Sequence, residues 1–133
     1  MGPFETALEP DEILTEARVP RAPQGSSYFK VERRAGDYAS AALGAALWMS
    51  GDEIEEARIG MCSVGSTTLR AGGAEEVLKG QHPDGELYRR AAERAAEECS
   101  PPDDVRGTPE YKRDLVRVLV VRALELAVDR GTP

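Results

Sequence analysis

The sequence predicts an α+β fold in which a mainly antiparallel sheet of three to four strands is followed by three helices packed on it. In the first half of the 133-residue chain, aromatic and branched residues fall into short runs separated by turn sequences. The second half is rich in Ala, Glu and Arg and carries helix start and stop signals. Because strands and helices do not alternate, we expect the helices to cover one face of the sheet. A chain of this length is expected to form one domain.

Four segments are predicted strands: residues 12–19, 28–34, 40–49 and 53–64. The first alternates loosely between apolar and polar residues and stops at a proline, and the second has the aromatic and branched residues that strands favour. Residues 1–11 contain prolines and acidic residues before the first apolar cluster, so we interpret them as a linker or irregular lead-in.

The third predicted strand is ambiguous, because residues 40–49 (SAALGAALWM) are rich in alanine, which favours a helix. The residues that follow argue for a strand. Residues 50–52 (SGD) are typical of a turn, and Ala57, Ile59 and Met61 recur at the period of two expected for one face of a strand. A β-hairpin explains both halves, so we predict strands on either side of the turn.

Three helices are predicted in the second half. The first covers residues 74–79 and ends at Gly80, and the second covers residues 86–99 and is ended by the prolines that follow it. The third begins after Thr108, a plausible N-cap, with a proline in the first helical position. An apolar stripe then runs along it, formed by Val116, Leu119, Val120, Ala123 and Ala127.

Charge and cysteine content exclude several classes of function. A net charge of −7 argues against nucleic acid, which requires a basic surface. No apolar run approaches the roughly 20 residues of a membrane span, and the N-terminus does not resemble a signal peptide, so we expect a cytoplasmic protein without a membrane partner. Cys62 and Cys99 lie far apart and His82 lies in a turn-rich stretch, so no metal site is predicted.

Four blocks of sequence carry a family resemblance: residues 8–14 (LEPDEIL), 28–38 (YFKVERRAGDY), 64–71 (VGSTTLRA) and 106–113 (RGTPEYKR). Together they resemble the C-terminal domain of the FAD-binding medium subunit of molybdenum hydroxylases, the xanthine dehydrogenase and aerobic carbon monoxide dehydrogenase family. The blocks occur in the family's order and span nearly the whole chain. We therefore expect residues 1–133 to form one such domain, with the family's N-terminal FAD-binding domain absent from this sequence.

The resemblance implies a part in electron transfer. In that family electrons pass from a molybdenum cofactor through iron-sulfur clusters to FAD, so the implied partners are a flavin-binding domain and the molybdopterin and iron-sulfur subunits. The loops that hold the FAD pyrophosphate belong to the N-terminal domain. Neither residues 65–68 nor Gly72 and Gly73 form a strand-loop-helix phosphate cradle here, so we expect FAD only with a flavin-binding partner and none in the isolated chain.

Three residues are implied to approach the flavin. Leu14 matches a position near the ring, Tyr28 matches an aromatic position that can cover it, and Lys30 would be a cationic neighbour that stabilises reduced flavin. Without the resemblance, we would interpret Leu14 as a core residue, Tyr28 as a surface aromatic residue and Lys30 as a solvated charge. No catalytic residue and no self-contained active site is visible, so the sequence leaves open whether the chain is itself an enzyme.

An alternative stays open at this point. A module with this fold that had lost flavin would bind a small molecule or catalyse a non-redox reaction, because a fold carries function only through its site. In either interpretation, the face turned toward a missing domain should be apolar enough to seek a partner or a second copy of the chain.

Overall fold

The computed structural model describes residues 2, 5–19 and 21–131. In this part of the chain, three helices pack on one face of a sheet of four antiparallel strands. The strands lie in sequence order, as β1-β2-β3-β4. The elements are β1 (Gly25–Val31), β2 (Ala41–Ser50), β3 (Glu53–Cys62), β4 (Leu69–Arg70), α1 (Gly72–Leu78), α2 (Gly85–Glu97) and α3 (Pro109–Gly131). This architecture confirms the predicted α+β fold.

The hairpin of β2 and β3 confirms the interpretation of the alanine-rich stretch. Gly51 has a φ of 63° in the turn, a conformation that glycine adopts without strain. Leu43 lies opposite Met61, and Leu47 lies opposite Ala57, so the apolar residues of both strands share the face that the helices cover. Burial of this shared face outweighs the helix propensity of the individual alanines.

The predicted strand at residues 12–19 is wrong. These residues are extended but pair with no other strand among the described residues, and the sheet is completed instead by the two-residue strand β4 at the opposite edge. Ile13 is 82% exposed and Val19 is 78% exposed. The segment has the composition of a strand, but a strand forms only when its backbone groups find a partner.

The three predicted helices are confirmed, with ends that differ by one or two residues at most positions. Thr108 is the predicted N-cap of α3, and its Oγ1 accepts a hydrogen bond from the backbone N–H of Tyr111 at 3.3 Å. Asp84 caps α2 in the same way, accepting from the N–H of Leu87 at 2.7 Å. Only the first of these two caps was predicted from the sequence.

α3 packs across β1 and β2 at short range. The Oγ of Ser27, on β1, donates a hydrogen bond to the backbone oxygen of Ala123, on α3, at 2.7 Å. Close approach requires small residues at the contact, and Gly25 on β1 and Ala127 on α3 provide them. The core between these layers also contains Leu43, Leu47, Ile59, Val116, Val120 and Leu124.

Lys112 is a buried charge that ties α3 to the loop before it. Its side chain is 1% exposed, and its Nζ lies 2.8 Å from the Asp104 carboxylate and donates to the backbone oxygen of Pro102 at 2.9 Å. The hydrogen bond from Lys112 to the Asp104 carboxylate is the main influence that holds the pKa of Asp104 below its usual range. The buried ammonium is thereby paired, as burial of a charge requires.

We expect Gly25→Ala to destabilise the fold, because a Cβ at this position would lie 1.7 Å from the backbone oxygen of Ala127. Displacing a helix backbone should lower the free energy of unfolding by about 1–3 kcal/mol or more. Urea denaturation followed by circular dichroism measures this change.

Gly60→Ala is the matched control, since nothing lies within 4 Å of a Cβ built there. It should leave the free energy of unfolding unchanged or slightly higher. Equal stability of the two variants would contradict the close contact of β1 with α3.

Candidate functional site

The sheet face opposite the helices is not covered by any described helix. We call it the open face. Alternating burial and strand register place on it Ser26, Tyr28, Lys30, Ala42, Gly44, Ala46, Trp48, Glu56, Arg58, Gly60, Cys62 and Arg70. An antiparallel sheet face that meets water normally carries polar side chains. Here one of its central strands, β2, offers two alanines, a glycine and a tryptophan instead.

Tyr28 lies on a row of the open face whose two middle positions are glycines and whose far end is Arg70 on β4. It is opposite Gly44, which is in turn opposite Gly60. A Cβ at Gly44 would lie 3.8 Å from Cδ2 of Tyr28, so the tyrosine ring lies beside the bare backbone of β2. Tyr28 is 64% exposed. The ring is thus accessible to a flat ligand or a partner.

Lys30 lies two residues along β1 on the same face. Its Nζ contacts the Glu32 carboxylate at 2.5 Å and donates to the backbone oxygen of Asp37 at 2.6 Å. The hydrogen bond to Glu32 is the main reason that the pKa of Lys30 is raised. The ammonium is therefore held in one position, and the Glu32 carboxylate partly neutralises its charge.

Leu14 does not join these two residues in the sheet. It lies in the extended segment before β1 and is 72% exposed, so it is neither a core residue nor part of the open face. The structure therefore brings Tyr28 and Lys30 together and leaves Leu14 apart from them. A contact of any of the three with a flavin stays a prediction.

Trp48 is a member of the open face that the sequence reasoning missed. The guanidinium of Arg21 lies 6.0 Å from the centroid of its ring, and Arg21 also pairs with Glu55 at 2.8 Å. The indole Nε1 is buried and has no hydrogen-bond partner among the described residues. Once β2 is assigned as a strand, alternation with Leu47 predicts that Trp48 faces outward.

Glu75, on α1, is a buried carboxylate at the β3–β4 edge, with 5% of its side chain exposed. It accepts hydrogen bonds from Arg70 at 2.6 Å and from the backbone N–H of Ile59 at 2.9 Å, and it lies 3.4 Å from Arg58. Burial, the largest single influence, raises the pKa of Glu75, but these bonds together outweigh it and lower the pKa. A carboxylate so fully engaged holds α1 against the sheet.

Two backbone donors at the N-terminus of α1 are already engaged by a side chain. The backbone N–H groups of Gly73 and Ala74 donate to the carboxylate of Glu98, at 3.2 and 3.1 Å. The side chain of Glu98 thus lies where a helix N-terminus can bind an anion. The expectation that Gly72 and Gly73 form no phosphate cradle stays a prediction.

The remaining reactive side chains do not assemble a centre. Burial raises the pKa of the Cys99 thiol to about 11, which makes it unreactive, and Cys62 is exposed. His82 is exposed, and its Nδ1 lies 3.3 Å from Asp52. Within residues 5–19 and 21–131, no group of three or more His, Cys, Asp or Glu side chains is placed to hold a metal ion. None of the described helices is long and apolar enough to cross a membrane.

Comparison with known proteins places these features in one family. Residues 26–127 match the family model described as the CO dehydrogenase flavoprotein C-terminal domain. The chain is 39% identical to the carbon monoxide dehydrogenase medium chain of Afipia carboxidovorans over 132 residues, which are 98% of this chain and 46% of that protein. It is 34% identical to the glyceraldehyde dehydrogenase medium chain of Sulfolobus acidocaldarius over 125 residues, 93% of this chain and 44% of that protein.

A solved structure agrees with these matches. Carbon monoxide dehydrogenase from Hydrogenophaga pseudoflava, in a form that lacks the Mo-pyranopterin moiety of its cofactor, superposes with a TM-score of 0.91. The sequence identity is 36%, and the match covers 98% of this chain and 46% of that chain. The chain thus spans slightly less than half the length of the relatives it matches.

We expect Glu75→Gln to lower the free energy of unfolding at neutral pH by about 1–3 kcal/mol, because charge-assisted bonds to a buried carboxylate are lost. The pKa of Glu75 is lower in the folded chain than its usual 4.5, so its contribution is complete above that pH and is lost as the pH falls through the folded value. The stability difference between wild type and variant should therefore shrink in acid.

Urea denaturation at a series of pH values measures that difference. Glu76→Gln, which changes an exposed neighbour on the same helix, should have little effect at any pH. A gap between wild type and Glu75→Gln that stayed constant to about pH 3 would contradict the charged role of Glu75.

Proposed function

This chain belongs to the family of CO dehydrogenase flavoprotein C-terminal domains, and from that membership we propose that it is the C-terminal module of the FAD-binding medium subunit of a molybdenum hydroxylase. In this role it helps to cover FAD held by a flavin-binding portion of the medium chain. The molybdopterin and iron-sulfur subunits are the further partners. Family membership favours this function over a flavin-free module that binds a small molecule.

The open face is the observation that carries the proposal. A planar ring needs a surface with little side-chain relief, and the row that runs from Tyr28 across Gly44 and Gly60 has two successive positions without side chains. Tyr28 adds a large, rigid aromatic surface with a hydroxyl at its edge. The absence of a described helix over this face leaves room for a second body to lie against it.

The chain's own residues fit the ring end of FAD better than the phosphate end. Glu98 already occupies two backbone donors at the start of α1, which favours the flavin-binding portion as the holder of the pyrophosphate. FAD, when bound, accepts electrons and passes them on. Around it, Tyr28 would exclude water from one side of the ring, and Leu14 would add an apolar contact from the leading segment.

Lys30 would contribute charge at the same site. The raised pKa keeps its ammonium protonated at neutral pH, and contacts with Glu32 and Asp37 fix its position. A fixed positive charge near the ring favours the anionic reduced flavin, although Glu32 weakens the effect.

We expect the isolated chain to be colourless. Contacts from one side of the ring leave most of the cofactor in water, so FAD should not be retained through gel filtration. The absorbance of the purified chain in the flavin bands measures its FAD content. Stoichiometric FAD in the purified chain would contradict the assignment of the pyrophosphate to another portion.

We expect Tyr28→Ala to weaken binding to a FAD-loaded flavin-binding portion, for which the unmatched part of the Afipia carboxidovorans medium chain is the probe. Loss of one aromatic contact of about 0.5–1.5 kcal/mol corresponds to an increase in Kd of about two- to tenfold. Isothermal titration measures the Kd, and the rate of flavin reoxidation in the complex should change in parallel.

Tyr111→Ala is the matched control, because Tyr111 is also an exposed tyrosine but lies at the start of α3. It should leave both quantities unchanged. If the two variants behave alike, Tyr28 has no special part in the contact, and the proposed role of the open face fails.

A further inference from the structure

Lys30 and Glu32 form an ion pair at the end of β1, on the strand that also carries Tyr28. The Nζ of Lys30 lies 2.5 Å from Oε2 of Glu32, and the two side chains are 31% and 26% exposed. Salt and water screen a pair that is mostly shielded less than they screen one on the open surface. The charge state of this pair therefore affects what a ligand beside Tyr28 experiences.

The ammonium of Lys30 has a second partner with a fixed position. Its Nζ donates to the backbone oxygen of Asp37 at 2.6 Å, in the loop that joins β1 to β2. A turn holds this part of the loop, because the N–H of Asp37 donates to the oxygen of Arg34 at 3.0 Å and Gly36 has a φ of 82°. Lys30 thus has an anchor that does not depend on Glu32.

Glu32 neutralises Lys30 and no other described cation. Its Oε2 is buried, and Lys30 is the positive group that the described residues place against its carboxylate. An ammonium has three N–H donors, of which Glu32 and Asp37 engage two. The third donor has no acceptor among the described residues. The pair therefore offers one donor to a ligand, with almost no net charge.

Net charge beside a flavin ring matters because reduction changes the charge of the ring. Uptake of two electrons and one proton by bound FAD adds one negative charge. A neighbouring cation favours the reduced form and raises the reduction potential, whereas a neighbouring anion lowers it. Lys30 alone would supply a full positive charge, and the Glu32 carboxylate offsets it.

We infer that Glu32 lowers the reduction potential of the FAD that this module covers, by neutralising the Lys30 ammonium beside the ring. The inference rests on the proposed function, which brings the ring to the open face, and it names the residue that regulates the flavin there. A lower potential favours the onward transfer of electrons from reduced FAD. If Glu32 served only to stabilise the end of β1, its charge would have no effect on the flavin.

The reduction potential of FAD is measured in a complex of this chain with the FAD-loaded, unmatched portion of the Afipia carboxidovorans medium chain, by anaerobic titration with dithionite against a reference dye. Glu32→Gln keeps the shape of the side chain and removes its charge, while Asp37 still holds Lys30. The equilibrium should shift about tenfold toward reduced FAD, which raises the potential of a two-electron couple by about 30 mV. An unchanged or lower potential would overturn the inference.

Variants of Lys30 show whether Glu32 acts by neutralising it. Lys30→Gln leaves the carboxylate unpaired beside the ring, so this variant should have the lowest potential. The double variant with Lys30→Gln and Glu32→Gln has no charge at either position and should return close to the wild-type potential. A double variant that matched Glu32→Gln alone would contradict neutralisation of Lys30.

The pairing is also measurable without flavin. The hydrogen bond to Glu32 is the main reason that the pKa of Lys30 is raised, so Glu32→Gln should lower that pKa toward its ordinary value. The carbon-13 resonances of the Lys30 side chain measure it through a pH titration. Glu32→Asp keeps the carboxylate and should leave both the pKa and the potential nearer to wild type than Glu32→Gln does. Equal pKa values in wild type and Glu32→Gln would contradict the ion pair.

The controls separate this inference from the proposed function. Glu86→Gln removes a carboxylate from a surface pair with Arg89 on α2, on the helix side of the sheet, and should not alter the potential. If wild type binds the probe and Tyr28→Ala weakens binding while the Lys30 and Glu32 variants all keep the wild-type potential, only this inference fails. Failure of wild type to bind the probe removes both.

Discussion

The contact of α3 with β1 determines which face of the sheet is left for function. Ser27 points inward and donates to a backbone oxygen of α3, and the helix comes so close that only glycine fits at position 25. Because side chains alternate along a strand, fixing Ser27 on the helix side fixes Tyr28 on the other side. A slip of one residue in β1 would bury the tyrosine ring against α3. The accessibility of Tyr28 is thus a consequence of packing on the opposite face.

Two buried charges complete that packing. Glu75 holds α1 to the β3–β4 edge, and Lys112 holds α3 to the loop that precedes it. Each charge has its partners close at hand, so neither is available for proton transfer or ligand binding. Burial of a charge is costly unless the charge is fully paired. We therefore interpret Glu75 and Lys112 as residues that stabilise the fold.

The parts of the fold that sequence patterns predicted are those that local interactions determine. The hairpin follows from a glycine turn and a period-two pattern, and α3 begins at a cap and proline that are adjacent in sequence. Residues 12–19 were predicted as a strand in this sheet because their pattern is that of a strand, but a pattern does not identify the partner. β4 was not predicted, because a strand of two residues is too short to show a period in the sequence.

In the candidate site, too, the residues that local sequence patterns identify differ from those that depend on long-range contacts. Tyr28 and Lys30 were named from resemblance, and their shared face follows from a spacing of two on a strand. Trp48 and Glu75 depend on contacts between distant parts of the chain, with Arg21 and with Ile59, that no local pattern contains. Leu14 was assigned to a strand of this sheet and lies outside it, which changes the element on which its proposed flavin contact would depend.

Trp48 lies toward one end of the open face whose middle carries Tyr28. The Arg21 guanidinium, which pairs with Glu55, lies over the Trp48 ring. The buried Nε1 of Trp48 is a donor without an acceptor among the described residues. An unpaired buried donor costs roughly 1–3 kcal/mol, so this end of the open face is where the described residues leave the scaffold's hydrogen bonding incomplete.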